Sequence, residues 1–380
     1  VTAGRPIVVL LAAALLGPLA ATAAEKPRPP KPLPRPTATT RAPAPKSLPA
    51  AAFDPKPTAV PVTAPLPGLT GPTLTPAPAG DDDGDPVYAA FQRGLYVRAF
   101  MLATDRAGAG DPAAMTMLGT LYETGLGVRL DPAKAAEWYR RAVARGDREA
   151  AAALGQMTID GRGVAKDPKR AFDLFVAAAE KDQPVALYDA AVMLLDGSVT
   201  EPDPARAGRY LARAAELGNV DAQYAYATFL SDPTDPRHDP VRAAKWMKEA
   251  ALAGFEAAEV EWGLMLANGS GVPKNLAAAF VWLHRSALRG NAIGRNRVAR
   301  MYAVGLGVDP DPVEAWKWHL LARHQGLSDL WLETRLAGMS DDERRRAAAA
   351  AAAIDDTLAD TVARPAKDYA APAVPGTPPD

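Results

Sequence analysis

From Pro112 onward the apolar residues fall into two alternating stretches, each with helical spacing. The first runs from near Pro112 to near Thr124 and stops at Gly125 and Gly127, where a positive φ costs glycine little. The second opens on Asp131-Pro132, a helix-start pair in which Asp caps and Pro occupies the first turn. In it Ala135, Trp138, Tyr139 and Ala142 recur at helical spacing, which predicts an inward face, and Gly146 closes it. The pattern predicts a helix, a glycine turn and a second helix.

The same pattern returns every 36 residues. Ala99, Ala135, Ala171, Ala207, Ala243, Ala279 and Ala315 form one column of alanines. Gly110, Gly146, Asp182, Gly218, Gly254, Gly290 and Gly326 form another, with a single exception. Asp131, Asp167, Asp203, Asp239, Asn275 and Asp311 begin each second helix, and five of these six precede proline. Trp138, Leu174, Tyr210, Trp246, Trp282 and Trp318 are all large. Gly119, Gly155, Ala191, Ala227, Gly263 and Ala299 are all small, which predicts close approach of two helix axes. One helix pair cannot bury its own apolar face, so the units must stack and share a core.

The run A-x-x-x-L-G-x-L-Y-x-x-G-x-G-V-x-x-D-x-x-K-A-x-x-W-Y-x-x-A, at Ala114 to Ala142, resembles the Sel1-like repeat, and the match recurs at Gly155 to Ala178 and Gly263 to Ala287. The resemblance covers about residues 111–326, six units. Its 36-residue period and G-x-G turn set it apart from the 34-residue tetratricopeptide repeat. It implies an all-α fold: a right-handed α-α superhelix of helix-turn-helix units with helical caps, serving as a protein-interaction scaffold. It further implies, for bacterial members, frequent export and roles in signalling, envelope assembly or host contact. The third unit departs from the pattern at Gly197-Ser198-Val199. The fourth carries SDPTDPRHDP at residues 231–240, which reads as a bend, a contact loop or a tolerated variant.

The ends of the stack are also readable. Residues 86–110 predict one capping helix, and residues 327–362 predict helical caps. Leu330, Trp331 and Leu336 suggest a short helix. Ser340 to Glu343 forms a capping box before a helix from Arg344 to Asp360, whose seven alanines offer little surface to bury.

Composition changes the picture only outside the repeats. Residues 1–24 read as an export signal: Arg5, an apolar core from Ile7 to Leu16, a Gly17-Pro18 break and small residues for cleavage. An uncleaved membrane anchor is the alternative. Val1 is what a GTG start codon read literally would give, which places the leader at the start of a bacterial chain. Residues 25–85 form a Pro-rich linker expected to be disordered, with 17 prolines in residues 25–80. Those residues hold seven Lys or Arg against Glu25 and Asp54, about +5. With +1 on the leader and −1 overall, residues 81–380 carry −7. The basic linker is a candidate for contact with peptidoglycan, an anionic membrane surface or the acidic surface of its own domain; a solvated spacer is the plainer reading. Asp81 to Asp85 lacks a calcium-loop pattern. Residues 363–380 read as a disordered tail.

Catalytic signatures do not stand out. There is no H-E-x-x-H, G-x-S-x-G or phosphate loop, and no cysteine at all. Gly161-Arg162-Gly163 is a repeat turn, and Asp160 and Asp196 are helix-end residues on successive units. His319 and His324 lie on poorly aligned faces, and His284 beside Trp282 reads as partly buried. No cofactor or metal is expected, an enzyme is not expected (a hydrolase is a minor alternative), and a net charge of −1 argues against nucleic acid.

Binding is the better expectation. In such solenoids the first helix of each unit tends to line the concave face. One column there reads Met117, Ala153, Asp189, Ala225, Glu261, Arg297; the next reads Thr120, Gln156, Val192, Thr228, Leu264, Arg300. The middle is acidic and the last unit basic. Tyr188 and Tyr224 are candidate aromatic anchors, and Arg295, Arg297 and Arg300 a candidate basic cluster, for a protein partner of unknown identity; ordinary pairing of Arg297 and Arg300 with the C-terminal cap is the plainer reading. The expected role is an exported adaptor or regulatory binder in the periplasm, with an envelope-structural role through the basic tether as the alternative.

Overall fold

The computed structural model describes residues 85–355; the expectations for the leader, the linker up to Gly84, residues 356–362 and the tail lie outside it. Among the described residues there are sixteen helices and no strand. Helices α1 (Pro86–Gln92) and α2 (Tyr96–Gly108) open the stack. Six units follow: α3 (Pro112–Thr124) with α4 (Pro132–Val143), α5 (Arg148–Asp160) with α6 (Pro168–Ala179), and α7 (Pro184–Asp196) with α8 (Pro204–Glu216). Then come α9 (Val220–Ser231) with α10 (Pro240–Leu252), α11 (Glu256–Asn268) with α12 (Leu276–Leu288), and α13 (Ala292–Val304) with α14 (Pro312–His324). Helices α15 (Leu330–Arg335) and α16 (Asp341–Ala352) close it.

Every second helix of the six units is capped as its sequence predicts. Asp131, Asp167, Asp203, Asp239, Asn275 and Asp311 each accept a backbone N–H from the first turn. From α1 to α14 each helix packs on the next in sequence, so the stack is built from neighbour contacts; α15 then packs on α13 and α16 on α14. The buried side chains form three stretches that follow the chain, from Val87 to Met157, from Ala151 to Ala190 and from Ala179 to Ala351.

The inward face differs in one column from the sequence expectation. Trp138, Leu174, Tyr210, Trp246 and Trp282 are only half-buried, and Trp138 and Trp282 lie under Arg141 and Arg285. The core column is the next residue along: Tyr139, Phe175, Leu211, Met247, Leu283 and His319, none more than 3% exposed. The physical reason is the small column opposite. A Cβ on Gly119 would run into the Tyr139 ring, one on Gly155 would lie 2.6 Å from Phe175, and one on Gly263 would lie 2.8 Å from Leu283. The large column therefore faces the first helix of its own unit, and its Trp neighbour, about 100° round the helix, falls at the edge.

The turn glycines have a second duty. Gly163 has φ +67°, and an added Cβ would collide with the Pro132 carbonyl at the start of the preceding unit's second helix. Gly271 and Gly307 meet Pro240 and Leu276 in the same way. In the fourth unit Asp235 holds this place, and Arg237 does the docking: it pairs with Asp235 at 2.6–2.8 Å and donates to the Pro204 carbonyl at 2.8 Å. Gly208 leaves room for Phe229 and Arg237. The 231–240 loop is thus a self-bonded replacement for the glycine turn.

Both ends correct the expectation. Residues 86–110 hold two helices, because Gly94 at φ +73° turns the chain and brings Phe91 against Tyr96, 5.5 Å between centroids. The last helix has the expected capping box but ends at Ala352 rather than Asp360. Asp355 and Asp356 would place carboxylates against the negative end of a longer helix. Its alanines are not idle: Ala347, Ala348 and Ala351 are buried, and their small size lets α16 settle on α14.

Gly119→Ala should destabilise the chain by about 1–3 kcal/mol through overpacking. Adding Tyr139→Leu, the pairing already used by Ala191 and Leu211, should recover part of that loss. Thermal unfolding of the two variants checks this; equal loss in both would show that the ring is not the obstacle.

Candidate protein-binding face

At the N-terminal end α3 touches both α1 and α5 across unit boundaries. The first-helix layer, which tends to be the concave, inner side of such solenoids, carries the two columns read from the sequence. In its units 1 and 2 Met117, Thr120 and Ala153 are buried and Gln156 is exposed. From unit 3 onward the strip opens, and Tyr188, Asp189, Tyr224, Glu261 and Arg297 are half-buried.

Asp189 defines the middle of the strip. Its Oδ2 is shielded from solvent and has no hydrogen-bond partner. Burial, with neighbouring Asp221 adding repulsion, holds its pKa up at about 7. Tyr188 is pushed up to about 12, by burial first and then by Asp221 and Asp189. Tyr224 lies against Phe255, 4.8 Å between ring centroids, and its hydroxyl is raised by burial and by Glu261. Glu261 is raised by burial while Arg297 pulls it the other way. Arg297 is lowered by burial and then by Arg300, and its Nε is shielded and unpaired. The strip thus holds one sign of charge per unit, incompletely satisfied: negative in units 3 to 5, positive in unit 6.

Two of the three candidate arginines are not part of it. Arg295 is 6% exposed and donates to the carbonyls of Ala287 at 3.3 Å and Leu321 at 3.4 Å, near the ends of α12 and α14. Arg300 makes a two-point pair with Asp329, at 2.6 and 3.0 Å, and covers Trp331 at 5.0 Å. Asn296 joins the same carboxylate at 2.7 Å. Arg300 fastens the C-terminal cap and Arg295 ties α13 to α12 and α14, which leaves Arg297. Asp221 was missed because it lies in neither column singled out; its place one turn before Ala225 on α9 was the available signal.

The other polar clusters fasten helices to one another, within a unit or across a unit boundary. Tyr139 donates to Glu123 at 2.8 Å, and Arg162 of the next unit reaches the same carboxylate at 2.7 Å. Arg162 also pairs with Asp160. Buried Glu259 receives Arg285 at 3.1 Å and Arg289 at 2.9 Å. Asp182, at φ +57° where other units have glycine, is held by Arg213 through two bonds of 2.8 Å. His319 is buried, 3.4 Å from Glu333, with its pKa lowered chiefly by burial; His324 lies beside Asp355, and His284 between Phe280 and Trp318. Among the described residues no His, Asp or Glu cluster is arranged for a metal ion.

The Sel1 repeat model matches residues 112–147, 148–183, 184–219, 220–255, 257–291 and 292–327. The chain belongs to the Sel1 repeat family. A Sel1 repeat protein from Oxalobacter formigenes is 26% identical, with a TM-score of 0.54 over 62% of this chain and 94% of its own. The c5321 protective antigen of uropathogenic Escherichia coli, which displays an SLR fold, is 23% identical over 75% of this chain and 69% of its own, TM-score 0.48. A putative sel1 repeat protein from Klebsiella pneumoniae is 27% identical over 53% of this chain and 98% of its own, TM-score 0.35. Among curated proteins no relative matches. Sel1 repeat proteins generally mediate protein–protein interaction and are typically non-catalytic.

Asp189 should cost this Sel1 repeat protein stability. Below pH 3.8 the carboxyl is neutral in folded and unfolded chains alike, and the cost is absent. As pH rises from about 4 through 7, the unfolded chain ionises and the folded site resists, so stability falls. Asp189→Asn should therefore be stabilising at pH 8, by on the order of 2 kcal/mol or more, and close to neutral at pH 4. Unfolding midpoints measured across that range check it; a gain that does not grow with pH would remove Asp189 from the buried, unpaired class.

Proposed function

We propose that the chain is a non-enzymatic binding scaffold of the bacterial cell envelope, exported through its N-terminal leader. It takes an extended protein segment along the inner face of units 3 to 6. The observation that carries this reading is the strip itself: two aromatic rings, carboxylates and one guanidinium in line, with Asp189 Oδ2 and Arg297 Nε shielded but unpaired. Such atoms lose hydration without regaining a partner within the chain, so a bound segment that supplies one recovers the cost. The rings offer contact area at low entropic cost. Among the described residues no helix is long and apolar enough to cross a membrane, so attachment to the envelope would rest on the leader or the basic linker.

The test is capture from cell-envelope extract with the full chain, compared with Glu261→Arg and Arg297→Glu variants. Each single reversal should weaken capture of a specific protein at least about tenfold, or about 1.4 kcal/mol, with the unfolding midpoint little changed. A protein captured equally by all three forms would remove the inner strip from binding. Recovery of wall or lipid alone, dependent on the linker's Lys and Arg, would favour the envelope-structural reading.

A further inference from the structure

The place that Asp221 holds in unit 4 is acidic at two other points of the stack, Glu149 and Asp329, each a whole number of 36-residue periods away. All three lie at the start of a helix that follows a unit boundary. The chain itself satisfies two of them. Glu149 receives Arg148 at 3.2 Å and Gln183 at 3.0 Å. Asp329 receives Arg300 through two bonds and Asn296 through a third, and Arg300 lies over the Trp331 ring. Asp221 is exposed and, among the described residues, has no hydrogen bond or ion pair to its side chain.

The neighbours of Asp221 are those of Asp329 with the cations taken away. Three periods before Arg300 stands Val192, before Arg297 stands Asp189, and before Asn296 stands Tyr188. Asp221 therefore meets a second acid where Asp329 meets a guanidinium. The charge of Asp221 adds to burial in raising the Asp189 carboxyl, and both acids add to burial in raising the Tyr188 hydroxyl. No cation of α6 or α8, the helices packed on α7, acts on Asp189, and its Oδ2 stays shielded and unpaired. Tyr224, one turn beyond Asp221 on α9, lies against Phe255. Phe255 occupies the N-cap place of α11 without a capping bond, whereas the other five first helices are capped by their side chains. The fold forgoes a cap there and keeps a ring.

Resting on the reading of this strip as a protein-binding face, we infer that the joint of units 3 and 4 receives an arginine of the bound segment, its guanidinium shared by the Asp189 and Asp221 carboxylates and lying along the Tyr188 and Tyr224 rings. Arg300 on Asp329 beside Trp331 is the same arrangement made within the chain. A guanidinium suits the joint because its planar fork pairs with carboxylates through two bonds and its face stacks on aromatic rings. It also offsets the repulsion between the two acids and gives Asp189 the donor it lacks. Capture then depends on protonation. The Asp189 carboxyl titrates near pH 7; below that it is neutral, and above it is the anion that a guanidinium pairs with. Binding therefore tightens as pH rises from 5 to 8, and below pH 7 it releases a proton.

The test uses the full chain and the peptide acetyl-Gly-Arg-Gly-amide, with citrulline in place of arginine as a neutral match of the same shape. Binding is followed by NMR, together with the carboxyl carbon signal of Asp189. The arginine peptide should bind at least about tenfold more tightly at pH 8 than at pH 5, where only about one Asp189 in a hundred is ionised. At pH 8 the citrulline peptide should bind at least about tenfold more weakly than the arginine peptide. The titration midpoint of Asp189 should fall when the arginine peptide is bound. Asp189→Asn should remove the pH dependence, and Asp221→Asn should weaken binding at least about threefold. Asp173→Asn, at an exposed place on α6, should change neither. Equal binding of the two peptides would overturn the inference, as would arginine binding that Asp189→Asn leaves unchanged. If capture from envelope extract then still depends on Glu261 and Arg297, only the arginine site falls and the binding face stands.

Discussion

The separation of the two helices within a unit is set by one contact, a small residue on the first helix under a large one on the second. Gly119 under Tyr139, Gly155 under Phe175 and Gly263 under Leu283 leave no space for a Cβ. Alanine takes the place where the partner is Leu211, Met247 or His319. Once that spacing is fixed, the turn that joins the helices is fixed too. Its second glycine can then lie against the first turn of the preceding unit, as Gly163 does on Pro132. One steric relation within the unit thereby sets the packing between units, and neighbour contacts carry it down the stack.

Polar groups are then sorted by what this packing leaves them. Within unit 5 Glu259 takes Arg285 and Arg289, and at unit boundaries Glu123 pairs with Arg162 and Asp182 with Arg213. The last two hold neighbouring units in register. On the inner side of units 3 to 6 the helices crowd the side chains enough to strip water from them without bringing opposite charges together. Asp189 Oδ2 and Arg297 Nε are the result. A scaffold selected only for stability would replace such groups with apolar ones, since unpaired buried charge is among the costlier features a fold can retain. Glu259 Oε2, Ser286 Oγ and His319 Nδ1 are shielded and unpaired elsewhere in the stack, so what marks the strip is the alignment of its charges and rings rather than the unpaired atoms alone.

Sequence alone carried the period, the caps and the glycine turns, because no insertion blurs the spacing and each of those features is local. It could not decide between adjacent large columns. Trp138 and Tyr139 are both apolar and both at helical spacing, and only the distance to Gly119, across the hairpin, selects the tyrosine. The same limit applied to Arg295 and Arg300. Their partners, Leu321 and Asp329, lie well along the chain in the next helix and in the cap. Asp329 was open to reading as the N-cap of α15, which its bond to Leu332 confirms, but nothing local says that the same carboxylate also receives Arg300 and Asn296. Residues 86–110 fell short for a different reason: a seven-residue helix is too short to show a period.

The C-terminal end shows why the basic cluster had to be divided. A stack of identical units has an unsatisfied final face, and something must cover it. Here α16 brings a row of alanines onto α14, and Arg344 lies over the Trp316 ring at 4.8 Å. Asp329 gathers Arg300 and Asn296 so that α15 closes over α13. Arg300 is consumed by this closure, and Arg295 by the joint between α12, α13 and α14. Arg297, one helical turn from Arg300, is half-buried and feels the charges of Asp329 and Glu261. The last unit is therefore both a lid for the core and the positive end of the proposed binding face. Its single free guanidinium gives a strip that is otherwise negative a direction along which a charged segment can be read.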